Sequence, residues 1–262
     1  LRIVNWIPGG LEDRTALHRL VDGADAVIHV AGVISAPDKT TFDKGNVAGT
    51  LAMLAAGTAG GVHRFIFVSS LAAREPKLSL YGASKQRAEE LVHSSGLDWA
   101  IVRPPAVYGP GDKETLELFR MAKLGVMLMP PRGHLSLIHV DDLAGLLVAL
   151  AAPGAPANIV IEADDGTPGG WTHKAFGRAL GAAVGKKPAI LSSPGILLRL
   201  AARADQLFRG PRAKLTPDRA SLLAGTNERI DWILIRGRLT CSDADVDYRR
   251  AGGVLPSDHY PV

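Results

Sequence analysis

Tyr81 and Lys85 are the pair most able to do chemistry. The run Tyr81-Gly-Ala-Ser-Lys85 sits where the pattern predicts the start of a helix, so the two side chains share one face, a turn apart. A phenol ordinarily ionises near ~10, too high to exchange protons at neutral pH, and lowering it by about 2–3 units requires about 3–4 kcal/mol. A lysine cation at ~4 Å supplies about 1 kcal/mol in water and about 4 at an effective dielectric of ~20. The pair therefore works only in a partly dry cleft. By itself Y-x-x-x-K is commonly an ordinary aromatic beside a solvated lysine, so the flanking residues decide. Arg64-Phe-Ile-Phe-Val68 reads as a strand ending in Ser69-Ser70, and Ala26-Val-Ile-His-Val-Ala-Gly32 as a strand ending in small residues. Strand carboxyl ends are where parallel α/β sheets bind ligands, and small residues let a ligand approach the backbone.

The elements that must position these residues alternate. Strands are predicted over Arg2–Ile7, Ala26–Val30, Arg64–Val68, Trp99–Val102 and Asn158–Glu162, and helices over Thr15–Asp22, Asp43–Ala59, Tyr81–Ser94 and Thr172–Val184. Apolar strands alternating with helices predict an α/β fold, a parallel sheet covered on both faces by helices. Gly185 is placed as a helix stop. Ser193-Pro194 and Thr216-Pro217 read as helix starts with proline in the first turn.

Seven motifs stand in order along the chain: a G-x-L-x-D-like turn at Gly9–Asp13, H-x-A-G at His29–Gly32, N-x-x-G-T at Asn46–Thr50, V-S-S at Val68–Ser70, Y-x-x-x-K at Tyr81–Lys85, R-P-x-x-V-Y-G-P from Arg103 to Pro110 and H-V-D-D-L-A from His139 to Ala144. In that order they resemble the extended short-chain dehydrogenases, the NAD(P)-dependent epimerase/dehydratase family, over about residues 1–224. The resemblance implies a Rossmann-like core over 1–150, a small α/β substrate lobe over 151–224 with part of 112–135, and NAD or NADP as cofactor. It implies that Tyr81 is the general acid/base, that Lys85 lowers its pKa and binds the nicotinamide ribose, and that Ser70 (alternatively Ser69) bonds the substrate oxygen. Asn46 would support the helix near the lysine. Leu11, Ala31, Gly32, Ser69, Pro104 and Val107 would line the cofactor together with Tyr81 and Lys85. The substrate would be a small carbonyl compound or secondary alcohol. A non-catalytic NAD(P)-sensing relative is the rival reading, and such relatives usually lack the Tyr–Lys pair.

Two departures from the family pattern narrow this. The glycine-rich turn after the family's first strand is absent, and the sequence opens where the third strand would stand. The first two strands are thus expected to be missing, with cofactor binding by this chain weak. Gly10 also replaces the usual aspartate that contacts the adenine. The dehydratase branch carries an acidic pair after the active-site hydroxyl, whereas Leu71-Ala72-Ala73 follows Ser70. That leaves carbonyl/alcohol redox, or epimerisation through transient oxidation.

The segment 225–262 reads as an atypical tail. Arg229-Ile-Asp-Trp232 and Ser257-Asp-His259 resemble the C-terminal motifs of the endonuclease/exonuclease/phosphatase family, which implies that Asp231 orients His259 with Asp258 beside it. The metal-binding glutamate of that family has no counterpart, so a metal-dependent phosphoesterase rests on the tail alone.

Composition bounds the rest. Among 262 residues there is one cysteine, Cys241, which excludes an internal disulfide and a C-x-x-C metal site. No metal site is expected. The 30 Lys and Arg against 26 Asp and Glu give +4; these charges are scattered, so no nucleic acid is expected as partner. No apolar run reaches the ~20 residues of a membrane span. The expected location is the cytoplasm, and a homodimer is among the expected assemblies.

Overall fold

The computed structural model describes residues 4–130 and 133–192, with Leu200, Arg203, Ala204 and Leu207 beyond them. In chain order the elements are helix α1 (Arg14–Val21), strand β1 (Ala26–His29), a short helix α2 (Lys39–Phe42), a π-helical segment (Asp43–Ala48), α3 (Gly49–Ala59), β2 (Arg64–Val68), a 3-10 turn (Leu71–Arg74), α4 (Leu80–His93), β3 (Asp98–Val102), β4 (Ala106–Tyr108), α5 (Lys113–Lys123), β5 (Val126–Met129), β6 (His134–Leu135), β7 (Leu137–His139), α6 (Val140–Ala151), β8 (Ile159–Ile161), β9 (Trp171–Thr172), α7 (His173–Ala183) and β10 (Ala189–Ser192). The described residues fall into two compact units, those within Leu1–Arg103 and Leu147–Ile161 and those within Pro104–Leu146 and Glu162–Val262.

The first unit holds a four-stranded sheet in the order β1-β2-β3-β8, every pair parallel. Its strands are short and apolar because both faces are covered. The pleat sends Phe65 and Phe67 to one face and Ile66 and Val68 to the other, and all four are buried. On the first face Phe65, Phe67, Val27 and Ile101 pack with Leu17 and Val21 of α1, Met53 and Leu54 of α3, and Ala88 and Val92 of α4. Arg64 ties the sheet to the end of α6 by donating to the carbonyls of Leu150 (2.7 Å) and Pro156 (2.8 Å).

The first expected strand, Arg2–Ile7, is corrected: residues 4–7 form no strand. Among the described residues nothing pairs with their backbone as a ladder, and Val4 and Trp6 stand exposed. Apolar alternation there lacks the neighbouring strand that would turn it into a sheet. The single helix expected over Asp43–Ala59 is also corrected. The chain adopts α2 and then a π-helical segment before α3 begins, and a π-helical turn widens the coil by one residue, a device found mostly at functional positions.

In the second unit, β4 and β7 pair in parallel, as do β5 and β10, while β6 and β9 are antiparallel. Its core joins Phe119 and Ala122 of α5, Met127 and Met129 of β5, and Phe176 and Leu180 of α7. The expected helix starts at Ser193 and Thr216 and the whole segment 225–262, with Asp231, Asp258 and His259, lie outside the described residues.

Candidate active site

Because β1 and β2 are parallel, their carboxyl ends open on one edge of the sheet, and Ala31-Gly32 and Ser69-Ser70 follow there. Ser70 is the N-cap of the 3-10 turn and its hydroxyl accepts from the Ala72 amide at 3.2 Å. Ser79 caps α4 by accepting from the Gly82 amide at 2.9 Å, which sets where the helix begins and so where Tyr81 lies. Gly82 lets this helix approach the 3-10 turn closely: a Cβ there would stand 2.4 Å from the Ala72 carbonyl oxygen. Through that contact the loop carrying Ser70 and the helix carrying Tyr81 meet, and the two side chains are hydrogen-bonded to each other. Burial pushes the Tyr81 phenol above its ordinary pKa, and the bond with Ser70 opposes this.

Lys85 lies one turn further along α4 and is buried. Its ammonium donates to the carbonyl of Val68, the last residue of β2, at 2.7 Å and sits 4.4 Å above the Phe67 ring. Burial lowers its pKa to about 8, against the raising effect of Glu89. Asn46, buried in the π-helical segment, joins the loop after β1 to α4. It accepts from the Val33 amide (2.6 Å) and donates to the Val33 carbonyl (2.9 Å) and the Ser84 hydroxyl (2.8 Å); Ser84 donates onward to the Tyr81 carbonyl (2.7 Å). One amide side chain thus pins the loop after β1 to the first turns of α4.

Sequence reasoning passed over two further groups. Glu89, one turn beyond Lys85, is buried and accepts from the Ser69 hydroxyl; Arg103, just after β3, grips it through Nε (2.9 Å) and Nη2 (2.7 Å). Ser69 therefore has its hydroxyl turned to a carboxylate. The spacing Tyr81, Lys85, Glu89 at i, i+4, i+8 was the available signal. The second group is His29 with Thr50. Thr50 donates its one hydroxyl proton to the Asn46 carbonyl (2.6 Å), so at the 3.1 Å contact His29 Nε2 must be the donor. His29 is buried against Phe65 and Phe67, and burial, with Lys85 nearby, lowers its pKa to about 4.

The nicotinamide-ribose half of a dinucleotide fits these residues. At Gly32 a Cβ would meet Asn46 Oδ1 at 2.9 Å and Lys85 Nζ at 3.8 Å, so glycine keeps the backbone beside the ammonium open. Ala31 and Gly32 are exposed. Leu11 is committed to packing, since a Cβ on Gly49 would meet its Cδ1 at 2.6 Å. A pyrophosphate finds no such fit at α1, whose N-terminus is capped by the Asp13 carboxylate accepting from Ala16 at 3.0 Å; a second anion would be repelled there. Pro104 and Val107 belong to the second unit, Pro104 buried ahead of β4 and Val107 exposed on it.

Residues 3–152 match a family described as NAD(P)H-binding. The chain is 36% identical over 264 residues to a ceramide reductase of Caulobacter vibrioides, covering 90% of this chain and 82% of the relative. It is 30% identical over 163 residues to a UDP-glucose 4-epimerase of Vibrio cholerae, covering 53% of this chain and 49% of that one. Among solved structures, gox2253 superposes with a TM-score of 0.61 at 23% identity, over 81% of this chain and 72% of that one. A UDP-glucose 4-epimerase of Thermotoga maritima holding UDP-glucose does so at 0.60 and 21%, over 71% and 70%. The chain belongs to the NAD(P)H-binding family, and its fold is that of the NAD-binding epimerases and dehydratases. It has the NAD(P)-binding oxidoreductase- and epimerase-type fold.

Proposed function

We propose that this protein is an NAD(P)H-dependent reductase that converts a ketone of a ceramide-class lipid to a secondary alcohol. The observation that carries the reading is the hydrogen bond between Ser70 and Tyr81 at the sheet edge, with Lys85 one turn along the same helix. The cofactor, when bound, supplies or accepts the hydride. Ser70 orients the carbonyl oxygen, and Tyr81 gives that oxygen its proton as charge develops there. Lys85 binds the nicotinamide ribose, and its cation offsets the burial that raises the phenol pKa. Asn46 holds the loop after β1 to the first turns of α4, so that these groups keep one geometry. The lipid class comes from the ceramide reductase relative, which aligns with most of this chain.

The Vibrio cholerae relative favours a second reading, epimerisation of a sugar nucleotide through transient oxidation. The two part on net redox. A reductase consumes NAD(P)H one for one with alcohol formed, whereas an epimerase turns over with no net change in cofactor. Incubation with a 3-keto lipid amide and, separately, with UDP-glucose, following nicotinamide absorbance and product by mass spectrometry, tests the reading. Cofactor consumption with the lipid alone is expected. Turnover of UDP-glucose without cofactor consumption would replace the reductase by the epimerase.

A further inference from the structure

We infer that the second unit carries a docking surface for an anionic lipid bilayer, built from the outer face of the β5–β10 pair and the basic groove beside it. Val126 pairs with Ala189, and Leu128 with Leu191. Alternation along β5 buries Met127 and Met129 in the core and turns Val126 (48% exposed) and Leu128 (54%) outward, where Leu191 (54%) joins them. A strand with one wet face normally alternates apolar with polar residues. Here the outward positions are apolar as well, so this face is made for a partner other than water.

The charges around it define the partner. The two strands are parallel, so the turns that lead into them lie at the same end. One turn carries Lys123 and Leu124, the latter 84% exposed; the other carries Lys186 and Lys187. The Ala189 amide donates to the Gly125 carbonyl at 2.9 Å and holds these turns together. Beside them a cavity of about 690 Å³ runs along α7, lined by Lys174, Arg178 and Ala182 on one helix stripe and by Lys186, Lys187 and Ile190 opposite. Gly181 brings that wall close, since a Cβ there would stand 2.3 Å from Pro188 Cδ. Among the described residues no acidic side chain lines the cavity, and none of Lys123, Lys174, Arg178, Lys186 and Lys187 has an ion pair. A projecting leucine ringed by lysines beside an apolar face complements a surface that is anionic outside and hydrocarbon within: the lysines meet headgroup phosphates and the leucines enter the boundary. No described helix is long and apolar enough to cross a membrane, so the contact is interfacial. The inference concerns where the protein works and stands whichever substrate the active site takes.

Co-sedimentation of the full chain with vesicles of phosphatidylcholine, with and without 30 mol% phosphatidylglycerol, tests it, using about 0.1 M and 0.5 M salt on either side of the Debye screening regime. Binding to the anionic vesicles at least tenfold tighter than to neutral ones, weakened by salt, is expected. Lys186→Glu with Lys187→Glu should remove the anionic preference, and Leu124→Asp should weaken binding at least fivefold. Leu124 lies in an exposed turn, so an unchanged thermal melt will confirm that the fold survives its replacement. Equal binding to both vesicle types, no binding, or variants that bind like wild type would overturn the inference. A dimer that Leu128→Asp dissolves, without vesicle binding, would assign the face to a second copy and overturn it as well.

Discussion

Glu89 sits a turn beyond Lys85, so what it does to that cation is read through the pH at which the cation is lost. Burial lowers the Lys85 pKa to about 8 while Glu89 raises it; removing the carboxylate must move it further down. If Tyr81 depends on the Lys85 cation, reductase activity falls as pH rises through about 8. In Glu89→Gln the alkaline limb of kcat/KM should therefore shift to lower pH, with activity at pH 6 the less affected. A limb unmoved in this variant would show that Glu89 only packs. His29 gives a stability signature with a different sign. Its folded pKa of about 4 lies below the ordinary 6.5, so as pH falls through 6.5 the unfolded chain takes the proton first and the folded state loses ground until about pH 4. The full difference of roughly 2.5 units corresponds to about 3 kcal/mol. Urea midpoints at pH 7 and pH 4.5 should show wild type losing more stability on acidification than His29→Gln; equal losses would contradict the buried neutral imidazole.

At the scale of elements, the site depends on how near α4 comes to the 3-10 turn. Gly82→Ala places a methyl carbon 2.4 Å from the Ala72 carbonyl oxygen. The turn or the helix must shift, at a cost of about 1–3 kcal/mol for an overpacked contact, and the Ser70–Tyr81 bond shifts with it. Thermal melting should show the loss of stability, and kcat should fall more than tenfold, while Gly61→Ala, which costs stability through its positive φ of 73° but meets no neighbouring atom, leaves kcat unchanged. Sequence patterns located β2, β3 and α4 to within a residue, because fully apolar strands and the run from Tyr81 to Lys85 are strong local signals. The π-helical segment escaped detection, since Val47, Leu51 and Leu54 keep helical spacing whether or not the coil is widened by one residue. The strand expected over Arg2–Ile7 failed for the opposite reason: alternation is local, whereas a strand exists only when a neighbour takes its hydrogen bonds. Tyr81, Lys85, Ser70 and Asn46 were legible as types at spacings. Arg103 was visible only as part of a motif, and its grip on Glu89 needed the fold, because β3 and α4 approach each other through packing that no short spacing encodes.

For the whole molecule, the described residues offer a nicotinamide-ribose end beside Gly32 and Lys85 but no pyrophosphate cradle at α1, where Asp13 holds the helix terminus. The catalytic claim is tested most directly at saturating NADPH with a 3-keto lipid amide as substrate, comparing wild type with Tyr81→Phe. That change removes one hydroxyl and leaves the ring contact with Phe42 in place. In Tyr81→Phe kcat should fall by about 10²–10⁴, the usual contribution of a general acid, with little change in cofactor affinity. Turnover in Tyr81→Phe within threefold of wild type would contradict that role.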